Sequence, residues 1–346
     1  MSKVINVTVL QRASVEYDPM LRLLPYNELM PRLRALGIRF ISTDKKHVET
    51  SFERKGGIAR PLVAGDTTPN YITALGKIKQ SALEPEWGHT SLVEDIMNYE
   101  DVNVLSNSSE RVDPVTKKHP QELLIIQTIV RTVGEDILDS YYHAERDDNG
   151  DSPLDLFDGI NTLKDALIVA GEISAANGNY AQSNAIAAPQ DAADYAAYTS
   201  IVDWLRGANQ KLKNSAPVLK MTPICFQYAI DALANKLKYT GSRGWEMLQQ
   251  YLSGDANISG LRLSVEDEMG SGTGMYLTLP DNFDFDLWTN PAVQFVQVRN
   301  PFENPNLVQY WSQFKAGARI RSWNKKMLYV NDDLNTANQL SGDYVS

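Results

Sequence analysis

The sequence predicts an α+β fold, with helices and strands mixed and without the strand–helix–strand rhythm that builds a parallel α/β sheet. Three observations carry this. Long segments with apolar residues every three or four positions occupy the middle of the chain, short apolar or alternating runs dominate its last third, and no internal repeat is present. At 346 residues, 43% hydrophobic and 22% charged, the chain has enough apolar material for one large or two ordinary domains.

Residues 1 to 25 read as an extended arm containing the strand-like "VINVTVL", and "YNELMPRLRAL", 26 to 36, as a short helix. From His47 to Leu105 the character changes. "VETSFERKGGIARPLVAG" is an extended run broken at Gly56-Gly57, a pair that tolerates positive φ, and "DTTPNY" is a further turn. The segment predicts a long β-hairpin projecting from the body, and the strand-like "HTSLVEDIMNY" and "DVNVL" bring the chain back.

The strongest helix runs from Pro120 to Arg146, with Pro120 at the first position, where its missing N–H costs nothing. Leu123, Ile126, Val130, Val133, Ile137 and Tyr141 form its apolar stripe, and Gln127, Arg131, Glu135 and Asp139 its polar one. At ~1.5 Å per residue it is roughly 40 Å long. "DDNGDSP" ends it, and a second helix spans Asp191 to Asn214, with Tyr195, Tyr198, Val202 and Leu205 on one side. In "APVLKMTPICFQYAIDALANKL" a short strand leads to Thr222 as N-cap, Pro223 at the first position, and Phe226, Ile230, Leu233 and Leu237 as the buried face. "LRLSVEDE", "MYLTLP" and "AVQFVQVRN" then read as strands, followed by "YWSQFKAGARIRSWNKKMLYVND".

That last segment raises a question, because Lys315, Arg319, Arg321, Lys325 and Lys326 crowd it in a chain of formal net charge −10. A cationic strand face suits a phosphate, a nucleic acid or an acidic protein surface. The sequence pI near 5.0 argues against general affinity for DNA, which is built on phosphate neutralisation by clustered Lys and Arg. The first residues lack a secretory signal, and no run approaches the roughly 18 apolar residues of a membrane span, so a cytoplasmic protein is expected. A single cysteine, Cys225, excludes an internal disulfide framework and reads as a buried small hydrophobe.

Motifs for chemistry are weak. "GSGTG", 270 to 274, is followed by a strand and not by the helix a phosphate cradle needs, so a hairpin or mobile loop is expected. "DDNGDSPLDLFD" approaches a calcium loop through Asp147, Asn149 and Asp151, but Ser152 stands where the turn glycine belongs and Asp158 replaces the bidentate Glu. These three are weak metal candidates, and a solvated helix stop is the preferred reading. His47, His89, His119 and His143 lack paired zinc-site spacing, Glu266, Asp267 and Glu268 read as a solvated edge, and no nucleophile elbow or Walker loop occurs. The expectation is a chain without catalytic or cofactor-binding residues.

The ordered set of elements resembles the major capsid proteins of tailed bacteriophages and prophages, whose fold is shared with encapsulin shells and the herpesvirus capsid floor. On that resemblance residues 1–46 are the N-terminal arm and start of the peripheral domain, 47–105 the extended loop, and 106–150 the peripheral domain with its spine helix. Residues 151–300 form the axial domain, and 301–346 return to the peripheral domain and C-terminus. "DSPLDLFDGINTL", "DAADYAAYTSIVDWL" and "PVLKMTPICFQYAIDALANK" match the crossing into the axial domain, its long helix, and its strand entering a helix through a proline turn. The resemblance implies an icosahedral shell of pentamers and hexamers enclosing double-stranded DNA, partnered by itself, a scaffolding protein and a portal. It further implies only weak contact with packaged DNA, no membrane, assembly in the bacterial host cytoplasm and a place in the virion capsid. Period-two alternation then turns Phe314, Ala316, Ala318 and Ile320 inward and Lys315, Arg319 and Arg321 outward, toward acidic surface on a neighbouring subunit. Arg54, Lys55, Gly56, Gly57 and Arg60 are the corresponding contact candidates on the loop. No motif identifies Lys55 with Asn304 or Asn306 as a crosslinking pair. The alternatives are an encapsulin-like compartment and, from another class, an acidic metal-dependent enzyme built around Asp147 to Asp158.

Overall fold

The computed structural model describes residues 7–54, 76–95, 120–184, 186–238, 244–270, 272–301 and 307–331. The chain opens with α1 (Val7–Glu16) and α2 (Asp18–Ala35). The extended arm expected over residues 1 to 25 is thus helical from Val7 onward, where it is described. Its valines and threonine favour a strand, but Leu10 and Ala13, and then Leu21, Leu29 and Leu33, recur at helical spacing and are buried. Both helices pack on the later helix at 120–139, and that burial outweighs propensity even though Pro25 and Pro31 sit inside α2.

After β1 (Arg39–Ile41), β2 (His47–Arg54) and β3 (Gly76–Leu83) pair as a hairpin within the segment expected to hold one, antiparallel from His47 opposite Leu83 to Arg54 opposite Gly76, while the Gly56-Gly57 break lies outside the described residues and β3 was not legible as a strand. Strand β4 (Glu86–Asp95) leaves the hairpin and pairs with the long strand at 307–320. The piece "DVNVL" lies outside the described residues.

The spine-like helix, α3 (Pro120–Asp139), has the predicted stripes: Ile126, Val130, Val133 and Ile137 are buried while Arg131 and Glu135 are exposed. It stops at Asp139, short of the predicted Arg146. Tyr141 and Tyr142 are both fully buried, which one helical face cannot do for adjacent residues, and the N–H groups of Gly159, Ile160 and Asn161 take the carbonyls of Ala144, Tyr141 and Tyr142. Gly159 is required at this close approach, since a Cβ there would lie 2.9 Å from the backbone of Tyr141 and Ala144.

A single turn at Pro153–Asp155 and α4 (Ile160–Val169) follow. The helix predicted over 191–214 is two, α5 (Ala196–Gly207) and α6 (Gln210–Lys213), because Ala208 turns extended and Asn209 caps the new start by accepting from Lys211 N at 3.0 Å. Then β5 (Val218–Met221) enters α7 (Pro223–Leu237) as predicted, with Thr222 Oγ1 accepting from Cys225 N at 3.2 Å. The buried stripe of α7 is Cys225, Ala229, Ala232 and Leu233, with Phe226, Ile230 and Leu237 flanking it half-buried.

The remainder is α8 (Gly244–Asp255), β6 (Arg262–Val265), β7 (Met275–Thr278), β8 (Phe283–Trp288), β9 (Val296–Arg299), β10 (Leu307–Ile320) and β11 (Leu328–Asn331). Strand β8 was not legible as one. Its Asp284 and Asp286 are fully buried, the first paired with Arg39 at 2.7 Å and the second accepting from Thr43 N at 3.1 Å.

Two compact units emerge. The first comprises 1–45, 85–163 and 284–318 and is built on the sheet β1-β8-β10-β4 with β9 beside β10. Its interior joins α1–α3 residues to Tyr141, Phe157 and Phe285, the last two rings 6.5 Å apart. The second comprises 46–84, 164–283 and 319–346, with the sheet β11-β7-β5-β6, a core formed with α5, α7 and α8, and the β2–β3 hairpin. Because Thr222 both caps α7 and donates to Gly272 O, Thr222→Ala is expected to lower stability by about 1–2 kcal/mol in urea unfolding, and Thr222→Ser by much less.

Candidate functional site

Phe314, Ala316, Ala318 and Ile320 are buried, as alternation predicts, but Arg319 is only 1% exposed and does not face outward. Its guanidinium is consumed by its own chain. Nη2 lies 3.5 Å from Glu49 Oε1, while Nη1 donates to His47 O at 3.0 Å and Ser81 O at 3.4 Å. Arg321, partly exposed, holds the other oxygen of the same carboxylate at 2.5 Å. The acidic partner expected from a neighbour's hairpin is therefore Glu49 of this chain's own. Lys315 is also engaged: Nζ donates to Asp44 O at 2.6 Å and lies 4.8 Å and 5.6 Å from the rings of Trp87 and Trp288. A planar fork meeting carboxylate and carbonyls is the arrangement that makes a buried arginine tolerable.

The hairpin has two chemically distinct faces. Toward the second unit it presents His47, Glu49, Ser51, Lys79, Ser81 and Leu83. Ser81 Oγ donates to Ile320 O at 2.6 Å, and Lys79 binds Glu172 at 2.7 Å with its Nζ 5.8 Å from the Trp323 ring. Trp323 Nε1 also donates to Glu172 at 3.1 Å, and the bonds from Lys79 and Trp323 hold that carboxyl below its ordinary range. Outward stand Val48, Thr50, Phe52, Ile78, Gln80 and Ala82, all exposed. Phe52 and Ile78 face each other in register and are 56% and 71% exposed. The polarity of an ordinary surface ribbon is inverted, with apolar side chains held in water. Arg54 ends β2 opposite Gly76, while Lys55, Gly56, Gly57 and Arg60, like Asn304 and Asn306, lie outside the described residues.

The carboxylates of the aspartate loop are taken up by its own backbone. Asp147 accepts from Asn149 N at 2.9 Å, Asp155 from Ser152 N at 2.9 Å and Asp158 from Arg146 N at 3.0 Å, so these carboxylates tie the turn together. Asp147, Asn149 and Asp151 are not brought into a ligand set, and among the described residues no group of three acidic, His or Cys side chains could hold an ion. A cleft of about 410 Å³ opens beside the loop between β4 and α3, lined by Trp87, His89, Asp136, Arg146 and Phe314 among others. Gly270, at φ 79, closes a 3₁₀ turn at Asp267–Met269, and β7 follows from Met275.

One polar pair was misplaced by sequence reasoning. Glu266, expected at a solvated edge, is fully buried against Lys220 at 2.5 Å, with Ser264 Oγ donating to the same oxygen at 2.8 Å. A lysine in the apolar run "VLKM" beside an acidic residue closing a neighbouring strand was the available signal.

No family model and no curated protein matches the sequence. Among solved structures, the chain is similar to one in the satellite phage P4 procapsid that includes its size determination protein. The TM-score is 0.54 at 10% identity, over 89% of this chain and 90% of that one. It is also similar to a chain in the capsid of the Myoviridae phage XM1, with TM-score 0.50 and 10% identity over 86% and 90%. The fold is that of these phage capsid structures, with helices and strands mixed as an α+β protein.

Two outcomes follow from the buried charges. Lys220→Met alone is expected to cost about 3–5 kcal/mol in denaturant unfolding by stranding Glu266, whereas Lys220→Met with Glu266→Leu recovers most of the loss. Glu172 binds a proton less readily in the folded chain, so its contribution is whole above the ordinary glutamate range and fades as pH falls through its lowered pKa. An acid titration of Trp323 emission, isolated by comparison with Trp323→Phe, should show a midpoint below that range, and Glu172→Gln should abolish it.

Proposed function

We propose that the chain is the structural building block of an icosahedral phage shell, the major head protein, assembling with copies of itself as pentamers and hexamers around double-stranded DNA. The observation that carries this reading is the fold likeness to the P4 procapsid chain, which extends over nine-tenths of both chains. The outward apolar face of the hairpin supports it, since Val48, Phe52 and Ile78 need a cover and a neighbouring copy supplies one without a further partner. A net charge of −10 favours weak contact with packaged DNA, which stays mobile against a surface that repels it. A scaffolding protein, a portal, assembly in the host cytoplasm and a place in the virion belong to the same proposal, as does a structural, non-enzymatic role.

Light scattering of the purified chain across concentration and salt, with negative-stain images of the heaviest fraction, tests it. Rings of five or six, or closed shells, are the expected result, and a strict monomer or dimer under all conditions overturns it. The paired substitution Phe52→Asp and Ile78→Asp is expected to reduce the assembled fraction by about tenfold or more while leaving the circular dichroism of the subunit unchanged. Normal assembly of that variant removes the hairpin face from the contact.

A further inference from the structure

We propose that the β2–β3 hairpin is a strap fastened to its own chain by charge, so that salt lifts it while the rest of the second unit stays folded. The fasteners are almost entirely polar. Glu49 is shared by Arg319 and Arg321, Lys79 is held by Glu172 and Trp323, and Leu83 at the root is the buried apolar residue of that face among the described residues. Beyond Ser51 and Lys79 the strands run on to Phe52 and Ile78, whose side chains are exposed.

Salt acts oppositely on these two kinds of contact. Raising ionic strength from about 0.05 M to about 1 M shortens the Debye length to ~3 Å and weakens the partly exposed pairs Arg321–Glu49 and Lys79–Glu172. It does not weaken the apolar core that α5, α7 and α8 share with β5 and β7. A two-stranded hairpin separated from its support is marginal in water, so a lifted strap also loses cross-strand protection. Arg319, buried and bonded to the carbonyls of both strands, keeps the root anchored and defines the pivot. The strap is a property of the single chain and holds whether or not the chain forms shells.

The test is hydrogen exchange followed by mass spectrometry on the unassembled fraction of the full chain. It is run at about 0.05 M and about 1 M sodium chloride at neutral pH, for the wild type, Glu49→Gln and Glu172→Gln. The expected result is that peptides covering 47–54 and 76–83 exchange about fivefold faster in high salt. In both variants they exchange faster already in low salt, while α5 and α7 keep their rates. Unchanged hairpin rates in salt overturn the proposal, as does acceleration of the hairpin and of α5 and α7 together. If Glu49→Gln fails to fold because it strands Arg319, the wild-type salt comparison and Glu172→Gln, which touches no buried arginine, still decide it.

Discussion

Arg319 carries its charge at a position almost closed to water, so each of its donors needs an acceptor. Leaving such a group unpaired costs several kcal/mol. The acceptors come from both strands of the hairpin: the carbonyl of His47 on β2, that of Ser81 on β3, and the carboxylate of Glu49. One side chain at the end of β10 thereby fixes how the hairpin seats on the rest of the second unit and which face it turns inward. A one-residue slip of β2 would bring Val48 and Phe52 to the cluster and point Glu49 into water. Register is specified here by polar satisfaction, the task that apolar burial performs in an ordinary sheet.

The same logic recurs where charge is buried elsewhere. Lys220 and Glu266 lock adjacent parallel strands, and Arg39 and Asp284 do so between β1 and β8. In each case a charged side chain sits on a strand whose neighbours are apolar and pairs with the strand beside it. Such pairs add little net stability over a hydrophobic substitute, but they penalise wrong pairings heavily. For strands joined across distant segments of the chain, that penalty is a means of choosing partners.

How much of this could be read beforehand divides along physical lines. Signals that depend on a few adjacent residues were legible: the Thr222-Pro223 entry to α7, the hairpin, and the two stripes of α3. Features decided by distant partners were not. From Val7 the arm is helical because α1 packs on β9 and α3 with Leu10 and Ala13 buried, which local propensity cannot report. Alternation placed Phe314 and Ile320 correctly but exposed Arg319, since period two says nothing about Glu49, 270 residues away, folding back over the strand. Glu266 failed for the same reason. The candidate site was thus half visible: Arg319 and Arg321 stand out in the sequence, and the acid they meet belongs to the same chain.

Cys225 adds a consequence of a different kind. It is the sole thiol of the chain, fully buried in the core that α7 shares with α5, α8 and β5. An alkylating reagent reaches it only when that core opens, so its labelling rate clocks the breathing of the second unit's interior. Movements of the hairpin leave the clock untouched. Nature has placed a reporter in this core that needs no engineered label, and its silence is itself a reading of how tightly the centre is shut.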